Sequence, residues 1–270
     1  MHYDPIKKVF GDVARKSTLF RRTFYLLLDL MFLRAWYVKR ALRGLLDGKA
    51  PGFALFDAGS GFGQYSYFLA RRYPRASIHA VDVKDEQIND CRAFFTRSAL
   101  TNITFAVEDL TQPVHSGEFD VILSVDVMEH IEDDVQVFRN FHRALKPGGI
   151  VLINTPSNLG GSDAHDDDDE SFIGEHARNG YGADEITAKL QQAQLSVTDI
   201  AYTYGPIGMA AWRLGIKYPM QLLNVSKALF VILPFYYAAT LWLTLILMYL
   251  DYAGTNREGA GLLVTAQKAR

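Results

Sequence analysis

The sequence predicts an α/β protein built on a doubly wound parallel sheet, and three observations support this prediction. Short apolar runs alternate with helical patterns from residue 53 onward, and the first run leads into a glycine-rich turn. The chain has 270 residues and no internal repeat. This length suits one α/β domain with appendages, and leaves little room for a second complete domain.

Each element of the domain follows from local periodicity and turn residues. The predicted strands are Phe53–Asp57, Ser77–Val81, Ile103–Val107, Phe119–Val125 and Ile150–Asn154. Helices are predicted near 63–72, 85–98 and 133–145. A further helix near 183–193 precedes a strand at Ser196–Tyr204, and a last strand-like run begins at Gly261.

The first 48 residues predict helices with an apolar face and a basic face. Apolar side chains recur at three- and four-residue steps between Leu19 and Leu42, with arginines and lysines between them. Residues 1–50 carry a net charge of +7, whereas residues 51–270 carry −9. We expect the basic helices to contact an anionic membrane surface. Nucleic acid is not expected as a partner, because the arginines alternate with Phe, Leu, Met and Trp.

Composition excludes several protein classes. Hydrophobic residues make up 49% of the chain and charged residues 21%, which excludes a disordered or collagen-like protein. Cys91 is the one cysteine, so a disulfide framework is excluded and a reducing compartment is favoured. The first residues lack the pattern of a secretory signal peptide.

An apolar segment, residues 206–257, separates the last two predicted strands. Both strands belong to one sheet, so the segment must begin and end on the same side of any membrane, which excludes a single spanning helix. Phe235–Leu250 would give roughly 24 Å of helix, short of a hydrocarbon core of roughly 30 Å. We therefore predict a monotopic hairpin or in-plane helix at the cytoplasmic face of a membrane. The alternative is a homodimer interface or a soluble lid.

The glycine-rich turn and two strand ends form the first candidate site. The turn has the spacing G-x-G-x-G, which differs from the G-x-G-x-x-G fingerprint of dinucleotide sites. Asp57 directly precedes it, and a carboxylate there favours a positively charged ligand. Asp82 ends the second strand, where a carboxylate can hold two ribose hydroxyls. After the third strand, the run Glu108-Asp109 offers a carboxylate to an adenine amino group.

Taken together, these motifs resemble class I S-adenosylmethionine-dependent methyltransferases, over about 53–205 and the last ten residues. The resemblance implies a Rossmann-like sheet of seven strands, the last one antiparallel and placed between the fifth and sixth. It also implies S-adenosyl-L-methionine as cofactor. By position, the methionine part of the cofactor would contact Asp57, Gly59 and Gly61. The ribose would contact Asp82, with Val83 beside it. The adenine would contact Glu108, Asp109 and Leu110. Ser124 and Val125 would lie beneath the cofactor.

The segment after the fourth strand is the candidate catalytic region, because ligands bind beyond the carboxyl ends of the strands. His130 is the candidate general base for a hydroxyl or acid acceptor. The alternative is that His130 only shapes the pocket. The run Asp126-x-x-Glu129-His130 also resembles the metal-binding Glu-x-x-Glu-His of ubiquinone-pathway O-methyltransferases, with Asp in the first place. A divalent metal held by these three residues is therefore an option, although no metal is favoured.

A second segment, Glu175-His176-Ala177-Arg178, resembles the Glu-His-x-Arg run that often opens the next helix in this family. His176 is a second candidate catalytic residue, and Arg178 and Tyr181 are candidate substrate contacts. The alternative is an ordinary surface turn. The acidic run 163–170 is interpreted as a solvated loop, because consecutive Asp residues lack the spacing and support that metal ligands need.

The sequence therefore predicts three parts: N-terminal amphipathic helices (1–50), a methyltransferase domain (51–205 plus 258–270) and the apolar insertion (206–257). The favoured function is methylation, chiefly O-methylation, of a lipophilic small molecule such as a phenol, quinol, aryl polyene, lipid hydroxyl or carboxylate. Two alternatives stay open. One is a catalytically silent, membrane-tethered cofactor-binding protein; the other is an enzyme with a soluble substrate.

Overall fold

The computed structural model describes residues 17–160 and 177–270. Seven strands form one sheet: β1 (Ala54–Ala58), β2 (Ser77–Asp82), β3 (Ile103–Val107), β4 (Phe119–Val125), β5 (Leu145–Pro156), β6 (Leu195–Thr203) and β7 (Gly261–Lys268). Their order across the sheet is β3-β2-β1-β4-β5-β7-β6. β7 is antiparallel to both β5 and β6, whereas β1 to β5 pair in parallel. The predicted fold class, including the antiparallel last strand, is confirmed.

In the part of the chain that the structure describes, six helices flank the sheet and the glycine-rich turn: α1 (Thr18–Met31), α2 (Leu33–Leu46), α3 (Gln64–Arg72), α4 (Asp85–Arg97), α5 (Asp134–Ala144) and α6 (Ala183–Gln192). Two cores form because the sheet is apolar on both faces. One core joins α2, α3 and α4 to the sheet, and Tyr25 of α1 belongs to it. The other joins α5 and α6 to the opposite face.

The apolar insertion forms a helical hairpin, which is the predicted helical insertion between the sixth and seventh strands. Its first limb runs through α7 (Pro206–Trp212), a π-helical turn (Arg213–Lys217) and α8 (Tyr218–Val225). The second limb is a 3-10 stretch (Lys227–Ile232) followed by α9 (Leu233–Ala253), and α9 packs against α7.

Two tyrosines of α9 brace the π-helical turn in the first limb. Tyr236 Oη donates to the carbonyl of Leu214 at 2.6 Å, and Tyr237 Oη donates to that of Gly215 at 2.9 Å. A π-helical turn disturbs the regular carbonyl ladder, so partners from the facing helix help to satisfy its polar groups. The two limbs are therefore held together by hydrogen bonds as well as by apolar contact.

The second limb is longer than the sequence predicted. Pro234 lies in the first turn of α9, where its missing N–H has no intrahelical partner to lose. At 21 residues, α9 spans roughly 32 Å. By length and composition, the stretch Ala228–Ala253 is sufficient to cross a membrane. The expectation that the second limb is too short to span a membrane is thus wrong. Both ends of the hairpin nevertheless return to one sheet, so they lie on the same side of any membrane.

Candidate cofactor and acceptor site

The glycine-rich turn after β1 is tied to the end of β2. The N–H groups of Gly59 and Ser60 both donate to the carbonyl of Val81, at 3.0 and 2.8 Å. Gly59 has a φ of +87°, and a Cβ added there would lie 2.2 Å from Val127 Cγ2. The turn therefore requires glycine at this position both for its backbone conformation and for its close approach to the segment after β4.

Two carboxylates lie at the ends of β1 and β2, as predicted. Asp57 is only 3% exposed, accepts a hydrogen bond from Ser66 Oγ, and has its pKa raised to about 6 by burial. Asp82 accepts from the N–H groups of Gly61 and Lys84, both at 2.9 Å. The site thus holds one buried carboxylate that an additional positive charge would keep ionised, and one that fixes the glycine-rich turn.

Two buried hydroxyls, one in the glycine-rich turn and one in β4, are suited to bind a ligand. The hydroxyls of Ser60 and Ser124 are buried and have no hydrogen-bond partner among the described residues. Such groups are costly unless a ligand or water satisfies them. Together with the buried Asp57, they fit a cofactor that carries a cation and hydroxyl groups, such as S-adenosylmethionine.

The adenine end of the candidate site follows β3. Asp109 Oδ1 accepts from the N–H and the hydroxyl of Thr111, at 2.9 and 2.8 Å, and Leu110 is buried. The Glu108 carboxylate lies between two imidazoles, those of His79 and His115. Sequence reasoning missed this histidine pair, because one histidine lies within a strand and the other in a loop.

The segment after β4 begins with a strained residue. Asp126 has a φ of +52°, a left-handed conformation that is unusual for any residue except glycine. Its carboxylate forms an ion pair with Arg34 and accepts from Asn154 Nδ2 at 2.9 Å. The helical pattern predicts that Arg34, in α2, belongs to a basic outer face. Its ion pair with Asp126 corrects that prediction.

Among the described residues, the three side chains of the predicted metal option do not bring their ligand atoms together as one cluster. Asp126 is used by Arg34, whereas Glu129 is buried and accepts from Thr155 Oγ1 at 3.1 Å. Burial also raises the pKa of Glu129. Within residues 17–160 and 177–270, the three metal-ligand side chains that do converge lie elsewhere, in the pair of histidines with Glu108.

Comparison with known proteins identifies the domain. Residues 56–153 match a family model described as a methyltransferase domain. This chain carries a class I methyltransferase domain. S-adenosylmethionine is the cofactor of such domains.

The relatives of this methyltransferase domain differ in substrate. A phosphoethanolamine N-methyltransferase of Triticum aestivum is 38% identical over 41% of this chain and 21% of its own length. A ubiquinone biosynthesis O-methyltransferase of Acinetobacter baylyi is 28% identical over 41% of this chain and 48% of its own length. The matched region is thus about a fifth of the first relative and about half of the second.

A solved structure agrees in fold. Phosphoethanolamine N-methyltransferase 2 of Haemonchus contortus, in complex with S-adenosyl-L-methionine, superposes with a TM-score of 0.62 at 18% identity. The superposition covers 97% of this chain and 60% of that one. At this identity, it shows that the two chains share the fold.

Within the methyltransferase domain, His130 lies at the end of a single 3-10 turn, Met128–His130, and is exposed. Its catalytic role stays a prediction. Val83 is also exposed, while Val125 is half-buried at the end of β4. His176 and the acidic run 163–170 lie outside the described residues.

The two predicted substrate contacts, Arg178 and Tyr181, brace the candidate catalytic segment. Arg178 donates to the carbonyls of Met128 and Glu132, at 3.0 and 3.1 Å, and pairs with Asp134 at 2.6 Å. Tyr181 is completely buried and donates to Asp134 Oδ2 at 2.7 Å. Both side chains hold residues 128–134 in place, and a contact with substrate stays a prediction.

The N-terminal helices cover the methyltransferase domain through their charged residues. Arg21 is 3% exposed, donates to the carbonyl of Phe62 at 2.7 Å and forms an ion pair with Asp90. Lys39 is buried and pairs with Asp29. The predicted basic outer face is therefore partly wrong. Arg21 and Arg34 dock the helices onto the domain, whereas Lys39 joins the two N-terminal helices to each other.

Proposed function

We propose that this protein is an S-adenosylmethionine-dependent methyltransferase that works at a membrane surface and methylates a lipophilic acceptor. The observation that carries the proposal is an exposed apolar surface at the cofactor edge of the sheet. The hairpin leaves the sheet after β6 and returns at the start of β7. Because β7 is antiparallel, both points lie at the edge where β1, β2 and β4 end.

The exposed apolar surface is large and lies on the second limb of the hairpin. Phe235 and Trp242 are 74% and 73% exposed. The other exposed apolar side chains of this limb are Phe230, Val231, Ile232, Leu243, Ile246, Tyr249 and Leu250. We call these nine residues the hairpin surface. Apolar patches of this kind are uncommon on soluble monomers and mark contact with a membrane or a partner.

Helix α1 adds exposed leucines close to the same edge of the sheet. Leu19 and Leu26 are 74% and 67% exposed. Arg21 and Tyr25, on the other side of α1, bind the glycine-rich turn through the carbonyl of Phe62. An acceptor leaving a bilayer here would have a short path to the cofactor, which supports a lipophilic substrate.

When bound, S-adenosylmethionine supplies an electrophilic methyl group on a sulfonium cation. In this proposal Asp57 would stabilise the positive charge of the cofactor, and Asp82 would accept hydrogen bonds from its ribose hydroxyls. The unpartnered hydroxyls of Ser60 and Ser124 gain partners at the same time. These groups orient the methyl group, and orientation is the main contribution that a protein makes to an in-line displacement.

The segment after β4 positions the acceptor. Arg34 and Asn154 fix the carboxylate of Asp126, so this end of the segment is rigid. Arg178 and Tyr181 brace its other end. We assign His130 the removal of the proton that a hydroxyl or carboxyl acceptor loses, because it is the exposed imidazole on this segment.

Removal of that base gives a direct test. His130→Ala should lower turnover about 10²–10⁴-fold while leaving cofactor affinity unchanged. The matched control is His142→Ala, because His142 lies in the last turn of α5, away from the segment. Full activity of His130→Ala would reduce His130 to a pocket-lining residue.

The acceptor itself is tested with purified full-length protein and methyl-labelled S-adenosylmethionine. A membrane lipid extract and an aqueous metabolite extract are offered separately. Label should appear in the lipid extract. Label only from the aqueous extract would favour a soluble substrate, and cofactor binding without product in either extract would favour the catalytically silent alternative.

Membrane contact is tested separately by flotation. Vesicles with and without anionic lipid are mixed with the protein and centrifuged through a density gradient. We expect the protein to float with both, and more strongly with the anionic ones. Failure to float with either would remove the membrane from the proposal while leaving the methyltransferase intact. A concentration-dependent dimer in that case would support the homodimer interface.

A further inference from the structure

We propose that His79, Glu108 and His115 form a divalent transition-metal site of the zinc class. We call these residues the His–Glu–His cluster. It lies at the edge of the sheet formed by β2 and β3, apart from the segment after β4. It does not depend on the proposed methyl transfer.

The geometry of the cluster brings three ligand atoms together. His79 Nε2 lies 2.8 Å from Glu108 Oε1, and His115 Nε2 lies 3.0 Å from Glu108 Oε2. All potential ligand atoms are within 4.8 Å of one another. The side chains are between 15% and 23% exposed, so an ion and one water could enter from solvent.

The outer partners of the imidazoles orient both Nε2 atoms as ligands. His79 Nδ1 lies 2.9 Å from Thr104 Oγ1, and that hydroxyl can donate to the carbonyl of Ile78 at 3.4 Å. His115 Nδ1 lies 3.3 Å from a Glu118 carboxylate oxygen. When such an imidazole is neutral, an acceptor at Nδ1 favours the proton there, so that the lone pair of Nε2 is available to a metal bound between it and Glu108. Metal-binding histidines commonly have this arrangement.

Zinc suits this donor set best. Two imidazoles and one carboxylate, with a fourth position open to water, are a known zinc ligand set. Bonds of about 2.0–2.2 Å would place neighbouring ligand atoms about 3.3 Å apart. The contacts of Glu108 with His79 and His115, at 2.8 and 3.0 Å, would therefore need to open by about 0.5 and 0.3 Å. The aromatic neighbours restrict larger movement, since His79 stacks on Phe56 and Phe119 at centroid distances of 5.9 and 6.3 Å.

An ion in the cluster would join three parts of the chain. His79 belongs to β2, Glu108 directly follows β3, and His115 lies in the loop 108–118. That loop begins with the predicted adenine contacts and has no strand or helix of its own. A metal would therefore anchor the loop to the sheet, and metal binding should stabilise the folded protein.

The competing account is a hydrogen-bonded cluster of two imidazolium ions with the carboxylates of Glu108 and Glu118. Such a cluster satisfies the same distances without a metal, so only metal binding separates the two. The untagged full-length protein is treated with a chelator, supplied with zinc, dialysed and analysed for bound metal. We expect one zinc per chain. Bound zinc at the background level of a protein without a site would overturn the proposal.

Variants locate the ion. His79→Gln and His115→Gln should each lose the dialysis-resistant zinc, whereas His142→Gln, a substitution outside the cluster, should retain it. Zinc retained by the double variant His79→Gln/His115→Gln would overturn the proposal. Circular dichroism confirms that each variant is folded, and zinc should raise the unfolding temperature of the wild type and of His142→Gln only.

A conservative change keeps the test valid where ligand variants fail to fold. Glu118→Gln preserves all three ligands but removes the carboxylate behind His115, and should weaken zinc binding about 10–100-fold. Cobalt gives a spectroscopic check, because its visible absorption reports a four-coordinate site. No thiolate band should appear, since Cys91 is buried and its Sγ contacts Arg21 and Gly61. Unchanged zinc affinity in Glu118→Gln would contradict the assigned role of the outer carboxylate.

Discussion

The cofactor site and the hairpin lie at the same edge of the sheet, yet they are incomplete in opposite ways. In the cofactor site, polar atoms such as Ser60 Oγ and Ser124 Oγ are buried and have no partner in the described part of the chain. In the hairpin, large apolar side chains such as Phe235 and Trp242 are exposed without cover. Each kind of incompleteness costs free energy in water, and each is relieved by a ligand of matching polarity. A polar cofactor would therefore complete the cofactor site, and a bilayer would cover the hairpin.

The two regions also differ in how the chain supports them. The glycine-rich turn is fixed by backbone hydrogen bonds to Val81 and by the carboxylate of Asp82. The hairpin is fixed by a few buried polar contacts near its base, where Tyr37 Oη and the N–H of Gly208 both donate to Asp251, at 2.7 and 2.9 Å. Substitutions on the hairpin surface should therefore change association without changing stability.

The largest effect is expected from charges on the hairpin surface. The double variant Trp242→Glu/Ile246→Glu should lower vesicle partitioning by about 100-fold or more, because each large apolar side chain contributes roughly 1.5–3 kcal/mol when buried. Flotation measures this change. Val114→Glu, an exposed apolar position outside the hairpin, is the control and should float normally. Normal flotation of the double variant would contradict a membrane role for this surface.

A backbone test follows for the cofactor site. Gly59→Ala should destabilise the fold by about 3 kcal/mol or more, since the strain of a positive φ adds to a clash with Val127. Gly117→Ala is the matched control: Gly117 has a φ of +66° but nothing within 4 Å of a new Cβ. The free energy of unfolding of Gly117→Ala should fall by only about 1–2 kcal/mol. If urea unfolding shows the same loss of unfolding free energy for Gly59→Ala and Gly117→Ala, the glycine-rich turn tolerates a side chain at Gly59.

A smaller change is expected from Asp82→Ala. Loss of a charged hydrogen-bond acceptor costs about 1.5–3 kcal/mol, so cofactor affinity should fall by about 10–100-fold. Titration calorimetry with S-adenosylmethionine measures it. Asp85→Ala, in the first turn of α4, is the control and should bind normally. Unaltered affinity of Asp82→Ala would refute the ribose assignment.

The smallest effect concerns pH. Burial raises the pKa of Asp57 to about 6, so its ionised form is disfavoured in the folded protein and this site loses stability as pH rises from about 4 to 6. A cationic cofactor favours the ionised form. Cofactor affinity should therefore rise up to about tenfold per pH unit below pH 6, and level off above it. Asp57→Asn should bind more weakly and independently of pH; a retained pH profile would place the titrating group elsewhere.

Much of the fold was predictable because its signals are local. Strand and helix periods, glycine turns and prolines act over a few residues, and the observed elements begin and end close to the predicted ones. β5 is the exception, since it begins at Leu145 and runs through Pro147 and two glycines. The length of α9 was also missed, because Pro234 is tolerated in a first helical turn.

Charged side chains were the least predictable part of the molecule. A charge pattern does not tell whether a cation faces solvent or an acidic group that is distant in sequence. Arg21 belongs to a helical pattern that suggests a solvated basic face, yet it pairs with Asp90, which is 69 residues away in the sequence. Lys39, from the same pattern, pairs with Asp29 on the neighbouring helix. Their burial is affordable only because those partners compensate the loss of hydration.

By itself, the sequence determined the sheet, the glycine-rich turn, the carboxylates at the strand ends and the apolar helical insertion, because each follows from residues adjacent in the chain. The tertiary structure alone decided which side chains meet. It placed Arg34 beside Asp126, and brought His79 and His115 to Glu108. Such contacts depend on the docking of whole helices, strands and loops, so their energies arise between surfaces that no local pattern in the sequence describes.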